Sequence, residues 1–260
     1  AVDEAIAAAE GARSAGFSPR LQISHVKAMG PANHGTVAAL LARIAEARAR
    51  GLDVAADVYP YTASGTTLLS RLPQWALDGG LDELKVRLAH EATRSRIRAE
   101  LAARFERGDF DPAGIVLNSL SPGRFSQAHG SSLLSVAGEL NVSPAEAALT
   151  ILAAHDGAVG IINHAMSEAD VRAAIAHPLV AIASDGGPLV PRDTGTTHPR
   201  AFGTFPRVFA RYVREQGIIS LEEAVRKCTS LPAQRLGLRD RGVLREGAVA
   251  DITVFDPAGI

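Results

Sequence analysis

The sequence LVAIASDGG, residues 179–187, decides the fold class of this chain. It opens with an apolar run that is too short for a helix and is typical of a buried parallel strand. The run ends in a carboxylate, Asp185, followed by two glycines. A charge at the end of a buried strand is unfavourable without a partner, and active sites of barrel and doubly wound α/β folds lie at that end. Asp185 is therefore either a metal ligand or general base, or a helix N-cap that follows the strand.

An alternation of helix and strand precedes this stretch. Residues 2–15 predict an Ala-rich helix, and residues 36–50 predict a second helix with apolar side chains at helical spacing. Residues 21–25 and 52–58 on either side of the second helix predict strands. Two strands that a helix joins lie parallel, because the helix returns the chain to the end where the first strand began. The fold class is therefore α/β with a parallel sheet.

The middle and the end of the chain depart from this alternation. Residues 70–158 predict charged helices and are interpreted as an insertion, after which residues 159–163 predict another strand. The sequence GVLREGAVADITVFDP, residues 242–257, alternates and predicts antiparallel β structure. We therefore expect one α/β domain over residues 1–237 and a small, incomplete β segment over residues 238–260.

The composition excludes several classes of protein. The chain has 260 residues and a formal net charge of −1, which argues against nucleic acid or an anionic membrane surface as a partner. No apolar run is long enough to span a bilayer, and no signal peptide is visible. The one cysteine, Cys228, excludes an intramolecular disulfide and fits a reducing compartment, so we expect a cytoplasmic protein. The oligomeric state stays open.

Polar side chains follow three of the predicted strands. His25 and Lys27 follow the first strand, Tyr59 follows the next, and Asp185 follows a later one. Because the carboxyl ends of parallel strands share one edge, we expect these side chains to meet. An imidazole and a carboxylate are ligand types for zinc, but catalytic zinc usually has three protein ligands and a water. From the residues alone, His25 is either a metal ligand or a hydrogen-bonded structural histidine.

Two further candidates lie after the predicted loop at residues 186–197. His198 and Arg200 occupy the region where a barrel places groups that recognise the substrate. The planar guanidinium of Arg200 can bind a carboxylate through two hydrogen bonds, and the alternative is an arginine on the surface.

Five motifs of this sequence resemble a known family. They are ISHVKAMG at residues 23–30, DVYPYTASGT at residues 57–66, IASDGGP at residues 182–188, HPRAFGTFPRV at residues 198–208, and LEEAVRKCTSLPAQRLGLRDRGVLREGAVADITVFDP at residues 221–257. In order and spacing they resemble the carboxyl-terminal half of the N-acyl-D-amino-acid deacylases, or D-aminoacylases, of the amidohydrolase superfamily.

The resemblance implies a fold and a reaction. The fold would be a zinc-bearing (β/α)8 barrel of the TIM type with a small β-sandwich built from both chain ends. Residues 1–237 would form the carboxyl-terminal part of the barrel, and residues 238–260 would begin the sandwich. The reaction would be the Zn²⁺-dependent hydrolysis of the amide bond of N-acyl-D-amino acids, which are small molecules, to a carboxylate and a D-amino acid.

The resemblance also implies roles for single residues. His25 would bind the metal, and Asp185 would be both the general base and a neighbour of the metal. The candidates for substrate binding are Lys27, Tyr59, Ser64, His198 and Arg200. Many relatives have a serine after the tyrosine motif, and this chain has Ser64-Gly65-Thr66 there, so the hydroxyl that contacts substrate stays open.

The chain departs from the family in one respect. The family's His-x-His pair on the first strand, its bridging cysteine and its histidine on strand five lie upstream of Ala1 and have no counterpart here. We therefore expect a fragment that lacks these metal ligands and is inactive by itself. Two alternatives stay open: another amidohydrolase, such as a D-glutamate or D-aspartate deacylase or a cyclic-amide hydrolase, or an inactive half-barrel that only folds or binds.

Overall fold

The computed structural model describes residues 1–187 and 197–260. Residues 188–196 lie outside the described part, and most of the predicted loop at residues 186–197 and the last residue of the IASDGGP motif fall there. The described strands are β1 (Arg20–Ile23), β2 (Asp53–Val58), β3 (Ala63–Thr67), β4 (Ile115–Leu120), β5 (Val159–His164) and β6 (Val180–Ile182). They form two sheets of three strands each.

The α-helices of the described residues lie before β1, between the strands and after β6. They are α1 (Val2–Ser14), α2 (Val37–Ala49), α3 (Leu81–Ala89), α4 (Glu91–Glu106), α5 (Leu133–Glu139), α6 (Pro144–Ala154), α7 (Glu168–Ala176), α8 (Arg200–Arg207), α9 (Leu221–Cys228) and α10 (Ser230–Leu236). A π-helix over Val208–Glu215 continues α8. Among the helices that the structure describes, none is long and apolar enough to cross a membrane.

The first sheet has the strand order β1-β2-β6, and both of its strand pairs are parallel, as the sequence predicts for β1 and β2. Ile44 of α2, Val54 of β2 and Ile175 of α7 are buried between the sheet and its helices. Burying an aliphatic side chain of this size contributes roughly 1.5–3 kcal/mol. The alternation of helix and strand in the first part of the chain is therefore confirmed, and it is stabilised by a core of its own.

The second sheet is antiparallel and has the order β3-β5-β4. It packs with α3 to α6 around a separate core that includes Leu101, Leu117 and Leu149. The strand predicted at residues 159–163 forms, but it pairs here and not in the parallel sheet. β3 and β5 pair with each other on either side of residues 70–158. A local apolar pattern predicts a strand without specifying its partner, which is why the pairing was missed.

The two cores meet near Gly30. This residue has φ of +86°, and a Cβ at that position would lie 2.3 Å from the carbonyl oxygen of Asp109. Only glycine fits such a close approach. The loop after β1 is therefore packed against the antiparallel unit, and the carboxyl edge of the parallel sheet lies beside it.

Helix starts follow the sequence signals closely. The side-chain oxygens of Ser143, Ser167 and Ser220 accept backbone N–H groups at the starts of α6, α7 and α9. Such caps stabilise a helix by about 1 kcal/mol. Helix α8 begins at Arg200 without such a cap, and Pro206 lies inside it.

The segment over residues 238–260 forms no strand in the described structure, contrary to the antiparallel β structure predicted for residues 242–257. A strand needs a hydrogen-bonded neighbour, and none pairs with this segment in the described part of the chain. Leu244 and Val254 are 85% and 92% exposed. The alternating pattern is present in the sequence, but these two side chains are not covered, whereas Phe255 packs on Phe209 with the ring centroids 5.0 Å apart.

Candidate active site

The parallel strands end at one edge, and the predicted side chains follow those ends. β1 is followed by His25 and Lys27, β2 by Tyr59, and β6 by Asp185. Arg200, at the first position of α8, reaches the same edge. The edge therefore gathers two cations, a phenol and a carboxylate.

Tyr59 lies at the centre of this group. Lys27 donates a hydrogen bond from Nζ to Tyr59 Oη at 3.2 Å, and the Arg200 guanidinium lies 5.1 Å from the centroid of the Tyr59 ring. Burial raises the pKa of Tyr59 to about 12, so the phenol stays protonated and can donate a hydrogen bond. Burial also lowers the pKa of Lys27, and the nearby carboxylate of Asp185 opposes that shift.

Arg200 links Asp185 to the antiparallel sheet. Its Nη1 lies 2.8 Å from Asp185 Oδ2, and its Nη2 donates to the carbonyl oxygen of Gly65 at 3.3 Å. The side chain of Arg200 is 13% exposed and that of Asp185 is 40% exposed. The alternative of a surface arginine is thus excluded, while the carboxylate remains open to solvent on one side.

His198 uses both ring nitrogens in backbone hydrogen bonds. Nε2 lies 2.8 Å from the carbonyl oxygen of Ala63, and Nδ1 accepts the N–H of Arg200 at 3.1 Å. The ring also makes edge contacts with Tyr59 and Tyr61 and is 7% exposed. The sequence predicts that His198 contacts the substrate, but in this structure neither of its ring nitrogens is free to do so.

His25 leaves the strand through a left-handed turn. Its φ is +43°, and Asp185 has a φ of +48°, values that non-glycine residues rarely adopt. The N–H of His25 donates to Asp57 Oδ1 at 2.6 Å, and Gln22 donates to Asp57 Oδ2 at 2.9 Å. Asp57 thus holds the turn that leaves His25 exposed at the edge. Sequence reasoning missed this residue, although it opens the DVYPY motif.

These residues fit a metal site only in part. His25 and Asp185 have the right ligand chemistry for zinc. In the described residues, however, no group of three or more His, Cys, Asp or Glu side chains is placed to hold a metal ion. Asp185 is moreover paired with Arg200. The described part of the chain does not build a catalytic zinc site by itself.

Four buried polar side chains near this edge have atoms without a hydrogen-bond partner in the described structure. They are Ser64 Oγ, both amide atoms of Asn163, Arg71 Nη1 and, apart from its ion pair with Asp185, Arg200 Nη1. The Ser64 hydroxyl is close enough to Tyr59 to act against the rise in the pKa of that phenol. Ser64 and Asn163 lie directly opposite each other in the β3–β5 pair, so their side chains share one face. Leaving a buried polar group unpaired costs about 1–3 kcal/mol. The hydroxyl of Thr66, by contrast, lies 3.4 Å from Ser70 Oγ, which favours Ser64 as the open hydroxyl.

Arg71 and Asn163 were not predicted from the sequence. Arg71 packs on the Phe110 ring at 4.2 Å, and its charge contributes to the lowered pKa of Lys27. Arg71 is therefore near the edge of the parallel sheet although it belongs to the antiparallel unit. No sequence motif marks either residue, because their position depends on a strand pairing between distant segments.

The chain belongs to the amidohydrolase family, whose model matches residues 1–260. Among curated relatives, it is 37% identical over 236 residues to N-acyl-D-glutamate deacylase from Alcaligenes xylosoxydans xylosoxydans, covering 90% of this chain and 38% of that protein. It is 35% identical to N-acyl-D-aspartate deacylase from the same organism, covering 93% and 39%. The resemblance drawn from the five motifs is confirmed.

Solved structures agree with these relatives. N-acyl-D-glutamate deacylase from Bordetella bronchiseptica, complexed with zinc and a phosphonate inhibitor that mimics the tetrahedral intermediate, superposes with a TM-score of 0.72 at 32% identity, covering 99% of this chain and 43% of that one. A crystal structure of D-aminoacylase gives 0.70 at 30% identity, covering 98% and 43%. The chain thus spans about two fifths of the length of the relatives it matches.

Proposed function

We propose that this chain is part of a metal-dependent amide hydrolase that acts on N-acyl-D-amino acids and releases a carboxylate and a D-amino acid. The observation that carries the proposal is the cluster of Lys27, Tyr59 and Arg200 around Asp185 at the carboxyl edge of the parallel sheet. Two cations face one carboxylate there, so the cluster has positive charge left for a substrate anion. Two relatives are N-acyl-D-glutamate and N-acyl-D-aspartate deacylases, and from them we infer that the substrate is an amide of a D-amino acid.

In this proposal, Lys27 and Arg200 bind the α-carboxylate, and the protonated Tyr59 donates a hydrogen bond to it or to the developing oxyanion. Asp185 takes a proton from the attacking water and delivers it to the leaving amine, a role that contributes roughly 10²- to 10⁴-fold in rate. Its partial exposure supports this role, because water can reach the carboxylate.

We propose zinc as the metal, since the Bordetella bronchiseptica relative was solved with zinc. His25 and Asp185 would be two of its protein ligands, and the described residues supply no third ligand beside them. In hydrolases generally, zinc polarises a carbonyl and acidifies water. We expect residues 1–260 alone to show no deacylase activity, because the described residues do not complete the site.

We further propose that residues 1–237 are the carboxyl-terminal part of a (β/α)8 barrel with an inserted antiparallel unit, and that residues 238–260 begin a small β-sandwich. The parallel sheet with its polar residues at the carboxyl edge supports the barrel. The exposed alternating side chains after residue 242 support the sandwich. The single cysteine supports a cytoplasmic location.

A specific observation favours acidic substrates among these compounds. Arg71 is buried, and its Nη1 has no hydrogen-bond partner in the described structure. A second carboxylate on the substrate would pair with this cation and could accept hydrogen bonds from Ser64 and Asn163. N-acyl-D-glutamate and N-acyl-D-aspartate are therefore favoured over neutral substrates, in keeping with the names of two relatives.

The test is an assay with N-acetyl-D-glutamate, N-acetyl-L-glutamate and N-acetyl-D-leucine in the presence of Zn²⁺. The chain is compared by itself and fused to the upstream part of the Alcaligenes N-acyl-D-glutamate deacylase. We expect turnover of the D-glutamate compound by the fusion alone. Turnover by the chain itself would contradict the incomplete site, and a fusion that folds and binds zinc without hydrolysing either D compound would contradict the reaction.

A further inference from the structure

His198 joins two elements of different sheets. Its ring receives the backbone N–H of Arg200 at the start of α8 and lies against the backbone carbonyl of Ala63 in β3. Arg200 then returns to the same strand through its side chain, which donates to the carbonyl oxygen of Gly65. The arginine is thus held from both ends, once through the histidine and once directly.

The partners define the chemical state of the ring. A carbonyl oxygen only accepts, so Nε2 must carry the proton that is donated to Ala63. A backbone N–H only donates, so Nδ1 must be the bare nitrogen that accepts from Arg200. A neutral imidazole with hydrogen on Nε2 satisfies both bonds, whereas an imidazolium would place an N–H against the N–H of Arg200.

The surroundings of His198 favour this neutral state. The ring is buried, and burial is the largest cause of its lowered pKa. The charged groups that act on it are the guanidinium of Arg200, the imidazole of His164 and the carboxylate of Asp185. The rings of Tyr59 and Tyr61 pack against its faces and edges.

Within residues 1–187 and 197–260, helix α8 has no other side-chain cap. Its N-cap residue is Pro199, which makes no side-chain capping hydrogen bond. The first N–H groups of a helix have no partner inside the helix, so the bond from Arg200 to His198 Nδ1 satisfies one of them. The imidazole therefore fixes the backbone of the residue whose side chain enters the cluster.

We propose that His198 is a positioning residue, whose neutral ring anchors Arg200 on β3 so that the guanidinium spans Asp185 and Tyr59. This rests on the proposed role of Arg200 in binding the substrate carboxylate. A long arginine side chain loses rotamer freedom on binding, and a side chain that is already fixed loses less. His198 then acts through Arg200 and not by touching the substrate.

Three variants of the full chain separate the two bonds. His198→Asn keeps a short side-chain oxygen that can accept the N–H of Arg200, His198→Gln keeps a donor that can reach Ala63, and His198→Leu keeps neither. His90→Gln is the matched control, since His90 is exposed between α3 and α4. The measurements are the dissociation constant of N-acetyl-D-glutamate, the thermal midpoint, and the NMR signals of the Arg200 backbone and guanidinium without ligand.

We expect His198→Leu to raise the dissociation constant of N-acetyl-D-glutamate about tenfold. This is the effect of losing one good hydrogen bond between Arg200 and the substrate carboxylate. His198→Asn should recover most of that loss, and His90→Gln should change nothing. The Arg200 signals should move in His198→Leu and return toward the wild-type positions in His198→Asn.

A lower thermal midpoint with unchanged binding and unchanged Arg200 signals in His198→Leu would overturn the proposal, because that is the result of a purely structural role. So would an asparagine variant that is no better than leucine in either measurement. If Arg200→Lys leaves binding unchanged, the role of Arg200 in substrate binding fails, and the ligand-free Arg200 signals still decide whether His198 positions it.

Discussion

The two sheets of this chain meet at one site and contribute different chemistry to it. The parallel sheet places groups that pair with one another, as Lys27 does with Tyr59. The antiparallel sheet places buried polar atoms that lack partners in the described structure, in Ser64 and Asn163. Paired groups stabilise the site without a substrate, whereas unpaired groups lower stability and remain available to a ligand. In the proposed reaction, the first sheet therefore holds the reacting groups and the second selects the substrate.

The largest effect is expected at Asp185, on the parallel sheet. In the fused protein, Asp185→Asn should lower kcat by about 10²- to 10⁴-fold, because an amide cannot accept the proton of the attacking water. Asp156→Asn is the matched control, since Asp156 also has a positive φ, of +51°, but lies in the antiparallel unit. Steady-state kinetics measure both. Equal losses in the two variants would remove Asp185 from the reaction.

A smaller effect is expected at Arg200, which touches both sheets. Arg200→Lys keeps the charge but cannot form the two-pronged hydrogen bond, so KM for N-acetyl-D-glutamate should rise by about tenfold. Arg211→Lys is the control, because Arg211 pairs with Glu168 in a separate ion pair. An unchanged KM in Arg200→Lys would place the substrate carboxylate elsewhere.

A substitution at Asn163 tests the contribution of the antiparallel sheet. Asn163→Leu removes a buried amide without partners, so the ligand-free protein should gain about 1 kcal/mol, which corresponds to a rise of roughly 2–4 °C in Tm. The preference for N-acetyl-D-glutamate over N-acetyl-D-leucine should fall at the same time. Asn33→Leu is the control, because Asn33 already donates to Met29 and should gain nothing. A lower Tm in Asn163→Leu would show that its amide has a partner and is not kept for substrate.

The smallest effect is expected from pH. Burial lowers the pKa of both His177 and His198 from the usual 6.5. The unfolded chain therefore binds more protons than the folded chain below pH 6.5, and the free energy of unfolding falls as the pH drops through that value. Carboxyl groups with lowered pKa values, such as Asp170, lose their stabilising contribution only below about pH 5. Urea unfolding measures the free energy of unfolding at several values between about pH 5 and pH 7. This free energy should depend less steeply on pH in His198→Asn than in the wild type. Identical slopes would contradict a buried neutral His198.

The sequence predicted the strands of the parallel sheet. Strands β1, β2 and β6 follow from short-range patterns: an apolar run, a helix between strands, and a polar residue where the run ends. The same patterns predicted that His25, Lys27, Tyr59 and Asp185 meet at one edge, and of these Lys27 contacts Tyr59 directly. The capping serines also act within four residues of chain. Signals of this kind lie within short stretches of the chain and can therefore be read from the sequence.

The rest depends on contacts between distant segments. Asn163 faces the site only because β5 pairs with β3, about a hundred residues earlier in the chain. His198 was predicted to bind substrate, and its bond to the carbonyl oxygen of Ala63 depends on where β3 lies, whereas its bond from the N–H of Arg200 is local. The alternation at residues 242–257 predicted strands that the described structure does not form, because a sequence pattern cannot supply the hydrogen-bonded neighbour that a strand needs.

The central claim is that the carboxyl edge of the parallel sheet binds the α-carboxylate of an N-acyl-D-amino acid. A crystal structure of the fused protein with zinc and a phosphonate mimic of N-acetyl-D-glutamate tests it most directly. We predict the α-carboxylate within hydrogen-bond distance of Lys27 Nζ, Tyr59 Oη and the Arg200 guanidinium, with the second carboxylate facing Arg71. An inhibitor whose carboxylates contact none of these groups would contradict the claim.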